Sequence, residues 1–295
     1  MKGDEGEVKY AVSSWIYGGD NLETIFDRLA RYGYDAIELE GEPERIDRHR
    51  IINLCRTYKL SVSGIAGMYP WPTEERDLAA LDRESRQKAV RYLQSCINYA
   101  HDLEAPLVIV VPSAVGKVMP LSILNGDKAM THWDEEVEQE WNLARDSVHQ
   151  CVDLALERGV ILAVEPINRY ETHLVNTCSQ AMKFIEPMDK KAVKIHLDTF
   201  HMNIEEASIV EAILNAGPML ANLHVADSNR QAVGRGHIDF KAILQALTKI
   251  NYPGVLSLEP LPPVPNPYVA MKIDRYKLMR DQIARESIEA LKSLS

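Results

Sequence analysis

Long apolar runs, paired cysteines and basic stripes are all missing from this 295-residue sequence. No stretch of 18 apolar residues occurs, so no membrane-spanning helix is expected. The four cysteines, Cys55, Cys96, Cys151 and Cys178, are scattered without a CxxC pair. They read as reduced core or near-core thiols, the state kept in a cytoplasm. Lysine and arginine form no long run, and the formal net charge is −10. A protein that grips a phosphate backbone needs a positive footprint, so nucleic-acid binding is disfavoured. Residues Met1–Lys9 are charged and carry no apolar stretch, which predicts a cytoplasmic protein without a leader. Linkers rich in Gly or Ser, low-complexity tracts and shifts of composition are absent too. One domain over residues 1–295 is the expectation.

What is present is a regular alternation. Apolar residues make up 46% of the chain, enough for a large core, and charged residues 26%. Eight short β-branched runs recur: Tyr10–Trp15, Ala36–Glu40, Leu60–Ala66, Leu107–Val111, Val160–Glu165, Val193–Asp198, Leu220–Val225 and Val255–Glu259. Several are apolar throughout, as parallel strands buried on both faces should be. Helical stripes lie between them: Ala89, Leu93, Cys96, Ala100 and Leu103; Val137, Trp141, Ala144, Val148, Cys151 and Ala155; Ile243, Leu247 and Ile250. A final helix is expected over Ile273–Leu294. Eight strand–helix repeats predict an α/β fold, a (β/α)₈ TIM barrel; an open doubly wound sheet is the alternative. The longest irregular stretches, Gly67–Asp82, Pro112–Thr131 and Pro260–Val269, follow strands three, four and eight. In a barrel they lie at the C-terminal mouth. Five prolines, from Pro260 to Pro267, stiffen the last one.

Four consecutive strands end in metal-ligand chemistry: Glu165 before Pro166, Asp198 before Thr199, His224 in Leu223-His224-Val225, and Glu259 before Pro260. Burying a carboxylate is costly unless something pairs with it. Adjacent strand ends converge near a barrel axis, where one cation would neutralise three carboxylates and an imidazole would complete the set. The spacings of 33, 26 and 35 residues each fit one repeat. Three oxygen donors and one nitrogen, without thiolate, suit Mn²⁺, Mg²⁺ or Co²⁺ better than structural zinc.

The segments Glu165-Pro166-Ile167-Asn168-Arg169-Tyr170-Glu171-Thr172, Asp198-Thr199-Phe200-His201-Met202-Asn203, His224-Val225-Ala226-Asp227-Ser228-Asn229-Arg230 and Leu258-Glu259-Pro260 resemble the sugar isomerase/epimerase superfamily. Within it they resemble the ketose 3-epimerases of the tagatose and psicose type. The resemblance implies a xylose-isomerase-like barrel with one divalent metal, Mn²⁺ first, on Glu165, Asp198, His224 and Glu259. It implies Glu165 and Glu259 as acid/base pair, and Glu171, His201 and Arg230 on the sugar's oxygens. A small sugar as substrate and a homodimer or homotetramer follow from it. Val233-Gly234 stands where the family usually carries Pro-Gly. His237 then reads as a loop-fixing residue and Asp239 as a helix N-cap. Lys117 and Arg235 fall in mouth loops, either solvated or meeting a phosphate or carboxylate of the substrate. Tyr17, Met68, Trp71 and Trp133 either wall the sugar or serve packing and subunit contacts.

Rival reactions on the same site are aldose–ketose isomerisation, keto-sugar-acid epimerisation and keto-inositol dehydration. A phosphodiester nuclease is disfavoured by the single histidine ligand and the acidic charge. A silent sugar-binding protein would leave both glutamates without a task.

Overall fold

A computed structural model describes residues 8–67, 74–116 and 133–294. Eight parallel strands close into a barrel: β1 (Lys9–Ser13), β2 (Ala36–Glu40), β3 (Ser61–Ala66), β4 (Leu107–Val110), β5 (Ile161–Val164), β6 (Val193–Asp198), β7 (Leu220–Val225) and β8 (Val255–Leu258). Closure comes where β1 pairs β8, with Ala11 opposite Ser257. The barrel prediction therefore holds and the open sheet falls.

Eleven α-helices lie among the described residues: α1 (Leu22–Tyr32), α2 (Arg48–Tyr58), α3 (Arg83–Asp102), α4 (Trp133–His149), α5 (Val152–Arg158), α6 (Cys178–Ile185), α7 (Thr199–Glu205), α8 (Ile209–Ala216), α9 (Phe240–Lys249), α10 (Pro267–Ala270) and α11 (Lys277–Leu294). Side chains fix where they start. Asn21, Asp47, Asp82, Ser208 and Asp239 each accept a hydrogen bond from a first-turn N–H, and Thr177 with Gln180 forms a full capping box. None of the described helices is long and apolar enough to cross a membrane.

The core divides in two. A large shell of apolar side chains packs between strands and helices. A smaller cluster of Leu107, Ile109 and Ala163 stands apart from that shell.

Three expectations need correction. The stripe from Val137 to Ala155 is broken into α4 and α5. The Ser147 hydroxyl bonds back to the Leu143 carbonyl, and Cys151 N–H closes a tight turn on Val148. The first strand stops at Ser13, and Ser14–Tyr17 form a 3₁₀ turn instead. The last helix begins at Lys277, after a separate 3₁₀ turn at Asp274–Tyr276.

Candidate active site

Each metal-ligand candidate leaves the C-terminal end of its strand buried. Glu165, Asp198, His224 and Glu259 are all 6% exposed or less. Their backbones are held by the barrel itself: Glu165 N–H bonds to Val110 and Glu259 N–H to Val225. Two strand irregularities sit beside the site, between Ile37 and Glu38 on β2 and between Ile195 and His196 on β6. Such shifts re-aim the side chains that follow them.

His224 is the hub. Its Nε2 lies 2.9 and 3.0 Å from the two Glu38 oxygens, and Asn222 donates to the same carboxylate at 3.2 Å. That fixes the ring and turns Nδ1 towards the cavity. Nδ1 stands 3.2 Å from Glu259 Oε2 and 3.9 Å from Glu165 Oε1, buried and without a well-aligned hydrogen bond. A ring nitrogen aimed between two carboxylates, with its other nitrogen held by a third, is the posture of a metal-ligating histidine. Donor atoms of Glu165, His196 and His224, of Glu38, His224 and Glu259, and of Glu165, Asp198 and His201 form three overlapping groups, each within 4.8 Å. This Glu/Asp/His cluster is able to hold a metal ion, and its donor chemistry fits a divalent one.

Arg230 ties the far side. Its guanidinium makes two contacts of 2.6 Å, one with Asp198 and one with Glu259, and lies over the Phe200 ring. Its backbone is left-handed, φ 61°, a conformation costly for a side chain of this kind. Its N–H bonds to Asp227 and its carbonyl accepts from Leu261 N–H, which pins the turn. Trp15 donates to Glu259 Oε1 at 2.5 Å and stacks on Tyr268, which in turn donates to Glu171 at 3.3 Å. Asn168 donates to Glu171 at 3.0 Å and meets His201 Nδ1 at 2.8 Å. With Nδ1 as acceptor, the His201 proton sits on Nε2, 3.7 Å from Asp198.

The surroundings push the two flanking glutamates in opposite directions. Burial, opposed by His224 but reinforced by Asp198 and Glu259, pushes the Glu165 carboxyl well above the usual carboxylate range. Burial works on Glu259 too, but His224 and Arg230 outweigh it and hold that carboxyl below the usual range. Asp198, also buried, is brought down to about 2 chiefly by Arg230. Burial lowers the His224 imidazole, yet Glu259 and Glu38 raise it further than burial lowers it. In His196, burial and then His224 depress the ring well below the usual histidine value.

The sequence-predicted residues thus meet in one region, with Glu171 bonded to it through Asn168 and Tyr268. Others do not. Tyr17 is fully buried under Arg28 and does not line the cavity, because the 3₁₀ turn after β1 presents Trp15 there instead. Arg235 points outward and pairs with Glu286 on α11. His237 bonds Ser228, and Asp227 accepts from the N–H groups of Ser228, Gly234 and Ile238, so the loop is pinned without the family's proline. Lys117, Met68 and Trp71, and the Trp133 side chain, lie outside the described residues. Sequence reading missed Glu38, His196, Trp15, Asn168 and Tyr268. Glu38 carried a related signal, a carboxylate inside the apolar run of β2.

The rest of the cavity wall is apolar, with Ile109, Val111, Ile167 and Met271 facing the charged group and Lys272 at its edge.

Comparison with known proteins places this architecture. Residues 26–294 match the Xylose isomerase-like TIM barrel family. A D-psicose 3-epimerase of Ruminiclostridium cellulolyticum is 30% identical over 234 residues, 79% of this chain and 76% of the relative. An L-ribulose 3-epimerase of Mesorhizobium japonicum is 28% identical over 261 residues, 85% of this chain and 81% of the relative. A crystal structure of D-psicose 3-epimerase with D-tagatose, from Clostridium cellulolyticum, superposes with a TM-score of 0.80 at 24% identity, covering 97% of this chain and 99% of that one.

Proposed function

The chain belongs to the xylose isomerase-like TIM barrel family, and from that premise we propose that it is a metal-dependent ketose 3-epimerase, inverting C3 of a free ketose. It is an enzyme of the isomerase class, like the relatives named for 3-epimerisation of psicose, ribulose and ketoses. The observation that carries the specific reaction is geometric: two buried carboxyls from different strands, Glu165 and Glu259, face the same His224 Nδ1 at 3.9 and 3.2 Å on one cavity.

Inversion needs one group to remove a proton and another to return one on the opposite face. In one direction Glu259 accepts the C3 proton, the substrate becomes a planar enediolate, and Glu165 gives its proton to the other face. The return direction exchanges the roles. Glu165, Asp198, His224 and Glu259 would hold one divalent cation, Mn²⁺ first, with Mg²⁺ or Co²⁺ as alternatives. Such a cation supplies Lewis acidity that makes a C–H beside a carbonyl easier to ionise. Arg230, held rigidly by its turn, and His201, whose Nε2 carries a proton, donate to the sugar's carbonyl and hydroxyl oxygens. Glu171 accepts from a hydroxyl. Trp15 and Tyr268 pack against these groups and exclude water. Four free cysteines support a reducing, cytoplasmic setting. The exposed apolar side chains of Val269, Ile273 and Leu278 support a homodimer or homotetramer.

The test is a panel of ketoses incubated with the metal-loaded enzyme in D₂O and read by NMR. Deuterium at C3 with inverted configuration is the expected result. A carbonyl shift between C1 and C2, or loss of water, rejects the assignment. Exchange at C4 of a 3-keto sugar would instead match the relative from Escherichia coli named 3-dehydro-D-guloside 4-epimerase.

A further inference from the structure

His196 has no task in the mechanism above, yet β6 buries it completely beside the reacting groups. Among the described residues, neither of its ring nitrogens has a hydrogen-bond partner. An imidazole in that position gives up its water at a cost in stability unless something replaces it.

The surroundings say what fits. Nε2 of His196 lies 3.6 Å from Glu165 Oε1, and the ring stands edge-on to His224 with centroids 4.0 Å apart. Glu165 Oε1 is also 3.9 Å from His224 Nδ1. A gap of 3.6 Å is too long for a direct hydrogen bond. It is also too short for a bridging water, which would span roughly 4.5 Å with two ordinary hydrogen bonds. Donor atoms that share a first-row cation, each about 2.0–2.2 Å from it, lie about 3–4 Å apart. The Glu165, His196 and His224 donors, all within 4.8 Å of one another, are spaced as one face of such a coordination shell. The register shift between Ile195 and His196 is what aims the ring inward.

We propose that His196 is an additional nitrogen ligand of the cation held by Glu165 and His224. The proposal rests on the metal reading above and deepens it. A second imidazole makes the site richer in nitrogen, and so favours Co²⁺, Ni²⁺ or Zn²⁺ over Mg²⁺, which prefers oxygen.

The full chain, stripped of metal, is titrated with Mg²⁺ and with Co²⁺, beside His196→Leu and His196→Gln. Co²⁺ affinity is expected to fall about tenfold or more in both variants, with Mg²⁺ affinity changed less than about twofold. Pulsed EPR of the Mn²⁺-loaded wild type is expected to count two directly bound imidazoles. This second readout decides the matter even where a variant does not fold. One imidazole in the wild type, or unchanged Co²⁺ affinity in folded variants, overturns the role of His196 and leaves the metal reading standing. A wild type that binds no divalent cation overturns both.

Discussion

At the scale of single residues, the proposed mechanism depends on like side chains placed in unlike surroundings. Glu165 and Glu259 are the same residue on strands three apart in order, yet Arg230 reaches only the second of them by an ion pair. Glu259→Gln keeps the shape and removes the proposed base. Turnover should fall by about 10²–10⁴-fold with the fold retained, measured by steady-state kinetics beside circular dichroism. Full turnover would end the acid/base assignment. Glu38 touches no substrate-facing space but orients His224. For Glu38→Gln, Mn²⁺ affinity should weaken by about 10–100-fold, read by competition titration. Affinity equal to wild type would mean that the carboxylate only fills space. The four proposed ligands were legible because each interrupts an apolar run at or next to its end. Glu38 and Glu40 share one face of β2, and their different depth along the strand decides which of them meets His224.

At the scale of elements, the cavity wall is assembled from segments far apart in sequence. Arg280 of α11 is 1% exposed and donates to the carbonyls of Ala270, Met271 and Ile273 at the end of α10. It also meets Asp20, which Arg28 binds at 2.7 Å. The same region crowds Gly18, where an added Cβ would come within 2.1 Å of the Met271 carbonyl oxygen. This clamp fixes the chain on either side of the Trp15–Tyr268 stack. Arg280→Met removes one of the three cations around Asp20 and the donor shared by three carbonyls, and should cost about 1–3 kcal/mol in denaturant unfolding. KM should rise more than kcat falls, since the clamp acts on binding walls rather than on the glutamates. A stability within 1 kcal/mol of wild type, roughly the noise of surface changes, would remove the clamp from the account. A last helix was expected over Ile273–Leu294, but the role of its one buried arginine was not.

Across the whole molecule, pH acts on stability through carboxyls that folding removes from water. Glu40, at the end of β2, is raised to about 7 by burial and then by Glu42, with Arg45 and Lys272 opposing. A carboxyl raised on folding stabilises fully below its unfolded value, and that contribution is lost as pH climbs through its folded value. For this group the window runs from about pH 4.5 to about 7, with up to roughly 3 kcal/mol involved. Glu40→Gln should therefore flatten the decline of Tm with rising pH across that window, in metal-free protein. Parallel Tm curves for the two proteins would contradict the burial argument. The eight-fold alternation and the four polar strand ends were legible in the sequence, because apolar periodicity and the cost of burying charge are local properties of a chain, whereas closure of the barrel rests on the pairing of β1 with β8. The break between α4 and α5, the inward turn of Trp15 in place of Tyr17, and the meeting of His224 with Glu38, 186 residues away, were decided only by tertiary structure. Register and strand closure set which side chains share a space, and neither is written in any single segment.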